Sequence, residues 1–160
     1  MSQSCLDCAP RPDRILCDLA PAALEAFDGI KSAQVFPRGT VLFREGQPAR
    51  GVFLLCAGRV RLSVCSENGR RLTLRMAAPG EILGLSASLA GGNYEVTAET
   101  MDNVQVAAVR RKDLLRFLRE HREACLQVVS LLSEDLHVAY DRVRSVGLGR
   151  VRRARGSAVH

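Results

Sequence analysis

Two periods of apolar residues divide the chain. From Ser32 to Val109 they come in short alternating runs, and beyond Glu120 they recur in steps of four and three. In the first region Phe36, Val41 and Phe43 precede the turn Glu45-Gly46-Gln47-Pro48, and Val52 to Cys56 is nearly continuous. Val60, Leu62 and Val64 alternate with Arg59, Arg61 and Ser63, as in a half-buried strand. Asn68-Gly69 predicts a type I′ hairpin, whose two central residues both need positive φ. Leu72 and Leu74 then alternate with Arg71, Thr73 and Arg75 on the return strand. Glu95 to Thr100 and Val104 to Val109 supply two more strands. Many short strands punctuated by glycine indicate an antiparallel barrel or roll.

The second period is a heptad. Cys125, Val129, Leu132, Leu136, Ala139, Val143 and Val146 are spaced four, three, four, three, four, three. A 3.5-residue repeat keeps one seam toward a partner helix, so Glu120 to Val146 predicts a dimerising coiled coil. At about 1.5 Å per residue it is roughly 38 Å long, longer than a domain of this size needs internally. The alternative is an amphipathic helix packed on its own core, for which Val128 and Leu131 lie off the seam. Pro21 opens a short helix ended by Gly29, and Asp113 is a candidate cap for a helix through Glu120. The expected order is an irregular arm (1–19), a mainly β roll with flanking helices (20–119), a dimerisation helix (120–147) and a basic tail (148–160) with no folded unit.

Composition narrows the class. At 160 residues, 47% hydrophobic and 25% charged, the chain has the make-up of a soluble globular protein with one substantial core. Its longest apolar run, Val52 to Ala57, is far short of a bilayer span, and the first twenty residues lack a signal-peptide core, so a cytoplasmic protein without membrane attachment is expected. The net charge of +6 would suggest nucleic acid, but Arg150, Arg152, Arg153 and Arg155 carry four of those charges within the last eleven residues. A basic tail alone binds polyanions weakly and without specificity. An enzyme is not expected: the three histidines (His121, His137, His160) all fall outside the strand region, and no paired acids or nucleophile–base set stands out.

Three stretches carry a family resemblance. Phe36-Pro37-Arg38-Gly39-Thr40-Val41-Leu42-Phe43-Arg44-Glu45-Gly46, Val52-Phe53-Leu54-Leu55-Cys56-Ala57-Gly58-Arg59-Val60 and Pro79-Gly80-Glu81-Ile82-Leu83-Gly84 resemble the cyclic-nucleotide-binding β-roll, a jelly-roll-like double-stranded β-helix. With the long helix behind it, the chain resembles the sensory half of a CRP/FNR-type transcription regulator. That resemblance implies a homodimer held by the helix, an effector in the roll and a helix-turn-helix domain further on. Gly80, Glu81, Ile82, Leu83, Gly84, Tyr94 and Glu95 are the candidate effector-pocket residues. In nucleotide-binding members an arginine about ten residues past the glutamate pairs with the phosphate. Here Gly91 to Val96 has none, and Met76 to Val109 holds no Lys, Arg or His at all. A buried phosphate without its cation is poorly supported, which argues against a cyclic nucleotide and makes Glu81 a structural turn residue. A stand-alone cyclic-nucleotide-binding domain stays as an alternative.

Only fourteen residues follow Val146, too few for a helix-turn-helix domain. The expectation is therefore a sensory and dimerisation domain that pairs with itself or with a full-length relative and does not read DNA alone. A second chemistry sits in the arm. Cys5-Leu6-Asp7-Cys8 with Cys17 resembles the cysteine cluster of FNR-type oxygen sensors, which implies a [4Fe–4S] cluster. The matching fourth ligand falls at Val104, which cannot ligate iron. Cys56, Cys65 or Cys125 would have to substitute, or water or Asp7 would take the open iron, and zinc or no metal are the other readings.

Overall fold

The computed structural model describes residues 20–157, with side chains described through residue 145. The chain divides after Ala124 into two compact units. In the first, helix α1 (Pro21–Ile30) leads into strands β1 (Lys31–Phe36), β2 (Val41–Phe43), β3 (Gly51–Ala57), β4 (Val60–Cys65), β5 (Arg71–Ala77) and β6 (Ile82–Leu83). Helix α2 (Leu85–Ala90), strands β7 (Thr97–Thr100) and β8 (Val104–Arg110) and helix α3 (Arg111–Glu120) follow. Helix α4 (Arg122–Ser157) makes up nearly all of the second unit. The strands form two antiparallel four-stranded sheets, ordered β1-β8-β3-β6 and β2-β7-β4-β5, in the expected roll.

Strand β3 shows why the roll closes and why helices lie against it. Its continuous apolar run is buried on both faces. Leu55, with Val106, Val104 and Leu83 of the same sheet, meets Phe43, Leu62, Val60, Ala77 and Ala98 of the other sheet in one core. Val52 and Leu54 point the opposite way by strand alternation and are equally buried. On that side α3 packs on β3 and β8, and Phe27 of α1 meets Phe117 of α3 edge to face at 5.6 Å. Burying one such side chain stabilises by about 1.5–3 kcal/mol.

Local details depart from the expected pattern in four places. The hairpin after β4 is not type I′, because within it Gly69 alone has positive φ (78°), as no non-glycine among the described residues does. Ser66 O accepts the Gly69 N–H at 2.9 Å and the Ser66 N–H donates to Arg70 O at 2.7 Å. This is the three-residue hairpin loop, a type I turn with glycine at the bulge. Asp113 does not cap α3. Strand β8 runs straight into the helix with Arg110 as N-cap, and Asp113 lies in the first turn, 3.3 Å from Arg116. Strand β5 is an edge strand with every residue but Ala77 exposed, so Leu72, Leu74 and Met76 are not covered within the unit. Helix α4 is assigned through Ser157, past Gly147 and Gly149, where a tail with no folded unit was expected. No helix among the described residues is long and apolar enough to cross a membrane.

One close approach locks the first sheet. A Cβ added at Gly51 would lie 2.2 Å from Val109 O, a backbone atom of the neighbouring strand that cannot swing aside. Gly51→Ala is therefore expected to destabilise the fold by about 2–3 kcal/mol. Gly92→Ala, which meets nothing within 4 Å, should stay within about 0.5 kcal/mol of the parent in urea unfolding.

Candidate functional site

The turn between β5 and β6 holds the first group of candidate residues. Gly80 N–H donates to Leu55 O at 2.8 Å, and Leu55 N–H returns a bond to Glu81 O at 2.9 Å, so the turn is stitched to β3. Both carboxylate oxygens of Glu81 are engaged: one accepts from Arg75 at 2.5 Å, the other from the Ala78 N–H at 2.6 Å. Arg75 lies one residue before the cation-free stretch and opposite Leu62 in the strand register, hence on the roll's inner side. Attention to residues 76–109 alone misses it. Arg75 is thus taken up by a carboxylate of the turn itself.

Tyr94 occupies the segment where the resemblance implied an arginine. Its ring stacks on Phe43 with centroids 4.0 Å apart. Its hydroxyl donates to Gly51 O at 2.7 Å, an acceptor shared with the Ser88 hydroxyl at 2.9 Å. Its backbone is tied at both polar atoms, to Gln47 O and the Gly46 N–H, each at 2.8 Å. Gly84 is left-handed (φ 81°) where it opens α2, and a Cβ there would strike the Tyr94 ring at 2.7 Å. Gly84 and Tyr94 are therefore brought together, with Leu83 in the same core as Tyr94. Ile82 pairs with Leu54 on the sheet edge, and Glu95 is exposed. Two hollows border Tyr94, and neither draws a lining residue from Gly80 to Gly84.

The arm cysteines Cys5, Cys8 and Cys17 lie outside the described residues. Val104, where a fourth cluster ligand was implied, is 1% exposed and belongs to the roll core. Cys56 is half-buried with its thiol 3.6 Å from Leu54 O, Cys65 is exposed at the end of β4, and Cys125 is half-buried on α4. Among the described residues no group of three or more His, Cys, Asp or Glu could hold a metal ion. The roll's own residues do not fit a four-thiolate cluster at this place.

Most of the described heptad positions along α4 are exposed. Val129, Leu136 and Val143 are 54%, 52% and 69% exposed, and Ala139 is exposed with them. Leu132 and Cys125 are half-buried, and the Val146 side chain lies outside the description. Val128, off the seam, is buried. Leu126 and Tyr140, also exposed, each follow a seam residue and widen the stripe. Reading only the first and fourth heptad positions passes over them, although their fourteen-residue spacing repeats the same register. Val138 is exposed on another side.

Several charges on the roll surface are paired. Glu99 lies between Arg61 and Arg71, the latter at 3.1 Å. At the β3–β4 corner the Arg59 N–H donates to the Asp102 carboxylate at 2.8 Å. That bond holds the Asp102 pKa below its ordinary 3.8, helped by the Arg59 guanidinium and opposed by partial desolvation.

Comparison with known proteins places this geometry. The cyclic nucleotide-binding domain family matches residues 33–121. The transcriptional activatory protein AadR of Rhodopseudomonas palustris is 29% identical over 140 residues, covering 88% of this chain and 57% of its own length. The cyclic AMP receptor protein of Thermus thermophilus is 26% identical over 121 residues, or 76% of this chain and 56% of its own. The chain thus spans a little over half the length of these curated relatives. Among solved structures, the Thermus thermophilus catabolite activator protein superposes with a TM-score of 0.77 at 23% identity, over 84% of this chain and 63% of that one. The sensor domain of the regulator DNR from Pseudomonas aeruginosa gives 0.67 at 22% identity, over 80% and 86%.

Two substitutions check these local accounts. Tyr94→Phe removes the hydroxyl's bond to Gly51 O, which Ser88 still serves, and its 3.3 Å bond from the Gly51 N–H, so a loss of about 1–2 kcal/mol in unfolding free energy is expected. Asp102 has a depressed folded pKa, so its contribution is present above its unfolded value and disappears as pH falls through the folded one. The urea midpoint of the parent should accordingly drop more steeply below pH 3.8 than that of Asp102→Asn.

Proposed function

We propose, for a chain that belongs to the cyclic nucleotide-binding domain family and has CRP/FNR-type transcription regulators as its relatives, that it is the sensory and dimerising part of such a regulator. The carrying observation is the exposed heptad stripe of Val129, Leu136 and Val143 on a helix far longer than the roll requires. Exposed apolar side chains at this spacing are poorly hydrated alone and bury each other when two copies align. Leu72, Leu74 and Met76 on β5 add to the apolar surface that a single chain leaves open. A two-fold pair of this kind suits a regulator that reads two DNA half-sites.

The effector is a small molecule other than a cyclic nucleotide. In support, Arg75 beside the Gly80–Gly84 turn is already held by Glu81, Arg111 beside Gly91 donates to Ser88 O, and Tyr94 occupies the segment where the resemblance implied a phosphate cation. The roll takes the signal and the paired helices carry it onward.

Sedimentation velocity at tens of micromolar, chosen around a ~10⁻⁵ M affinity, should give twice the chain mass. Leu136→Glu, which places a charge in the seam, should give the single mass with an unchanged circular dichroism spectrum from the roll. A parent that sediments as a single chain at that concentration would remove the reading.

A further inference from the structure

Arg50 and Arg110 border a groove of about 460 Å³ that has no part in the turn and seam described above. The strand register places it. Gly51 pairs with Arg110, Phe53 with Ala108 and Ala108 with Ser32, while Leu55 and Gln34 both pair with Val106. By alternation Ser32, Gln34, Phe53 and Arg110 share a face with the core residues Leu55 and Val106. The groove thus draws Ser32, Gln34, Phe53 and Arg110 from the roll's inner face, beyond the packed core, and Val52, Val109 and Asp113 from the helix side. It runs past Phe53 and Tyr94 toward a second hollow of about 350 Å³ that also includes Arg50. Its size is that of a pocket for a small organic molecule, for which the range is about 300–1,000 Å³.

The lining has a definite polarity. Among the described residues neither Arg50 nor Arg110 pairs with a carboxylate. Asp113, at the rim, is already held by Arg116 at 3.3 Å. Two unpaired guanidiniums thus face one compensated acid. In the same lining Phe53, stacked on Phe43, offers an apolar wall, and Ser32 and Gln34 add a hydroxyl and an amide. Guanidinium forks match the planar oxygen pair of a carboxylate, and a wall of aromatic carbon suits a hydrocarbon body.

We infer that this groove binds a small carboxylic acid with an apolar body, its carboxylate between Arg50 and Arg110 and its body against Phe53. The inference rests on the proposed sensory role and supplies the chemical class of the effector. The groove is separate from the helix seam, so the two claims fail independently.

The test is a fluorescence titration of the full chain with 8-anilinonaphthalene-1-sulfonate, an anion with an aromatic body, in the parent and in the Arg50→Gln/Arg110→Gln double variant. Both arginines are exposed, so the variant should keep the parent's melting temperature and sedimentation mass. Its binding should be weaker by about tenfold or more, the effect of losing charged hydrogen bonds. Hexanoate should displace the probe from the parent, and inorganic phosphate at equal concentration should not. Superimposable titrations of parent and variant would overturn the site. Displacement by phosphate as effective as by hexanoate would overturn the carboxylic-acid class. Loss of the dimer in the parent would instead strike the proposed function.

Discussion

Apolar surface has to be covered, and where this chain covers it, and where it does not, accounts for most of what the molecule is. Strand β3 is the clearest case of cover from both sides: Leu55 is closed in by the facing sheet and Val52 and Leu54 by the helix side. At about 25 cal/mol per Å² of buried apolar area, a strand wrapped in this way is worth far more than its hydrogen bonds to neighbours. It aligns β8, β6 and the helix-bearing side together. The same requirement goes unmet along α4 and on β5, where Val143 and Leu72 stand mostly in solvent.

The interior around Gly51 shows how that packing positions polar groups. Gly51 has no Cβ because Val109 O occupies the place one would take, and the close approach leaves Gly51 O open to two hydroxyls, those of Tyr94 and Ser88. Tyr94 is thereby fixed between Phe43 and Gly84, and the loop that carries it is tied to Gln47 and Gly46. The cation Arg75, at the end of β5, is paired with Glu81. An open groove lined by Arg50 and Arg110 lies beside Phe53.

Much of the fold could be read from residue patterns because burial has a period. Alternation at Val60 to Leu62 and the unbroken run at Val52 to Cys56 each follow from which side of a strand is covered, whereas a bulge after Leu62 reverses the alternation, burying Ser63 and leaving Val64 half-buried. What escaped depends on neighbours distant in sequence. Asp113 has the chemistry of a cap, yet β8 enters α3 with no intervening turn, so the cap position falls to Arg110. Leu72 and Leu74 alternate as a half-buried strand should, but the edge position of β5 leaves no sheet or helix over them within the unit. The Arg75–Glu81 pair crosses a strand end, so a scan of the stretch after Met76 cannot find it. Gly147 and Gly149 each weaken a helix by about 1 kcal/mol relative to alanine, a cost that an arginine-rich neighbourhood of good helix formers can offset.

The central claim is that the stripe on α4 is completed by the same stripe of a second copy. Single cysteines placed in turn at Val129, Leu136 and Val143, and at the outward positions Ser130, Glu134 and Asp141, test it directly when the native cysteines are replaced by serine. On mild oxidation the first three should give chains joined by a disulfide and the other three should not. Cross-linking with equal yield at all six positions, or at none, would contradict the account.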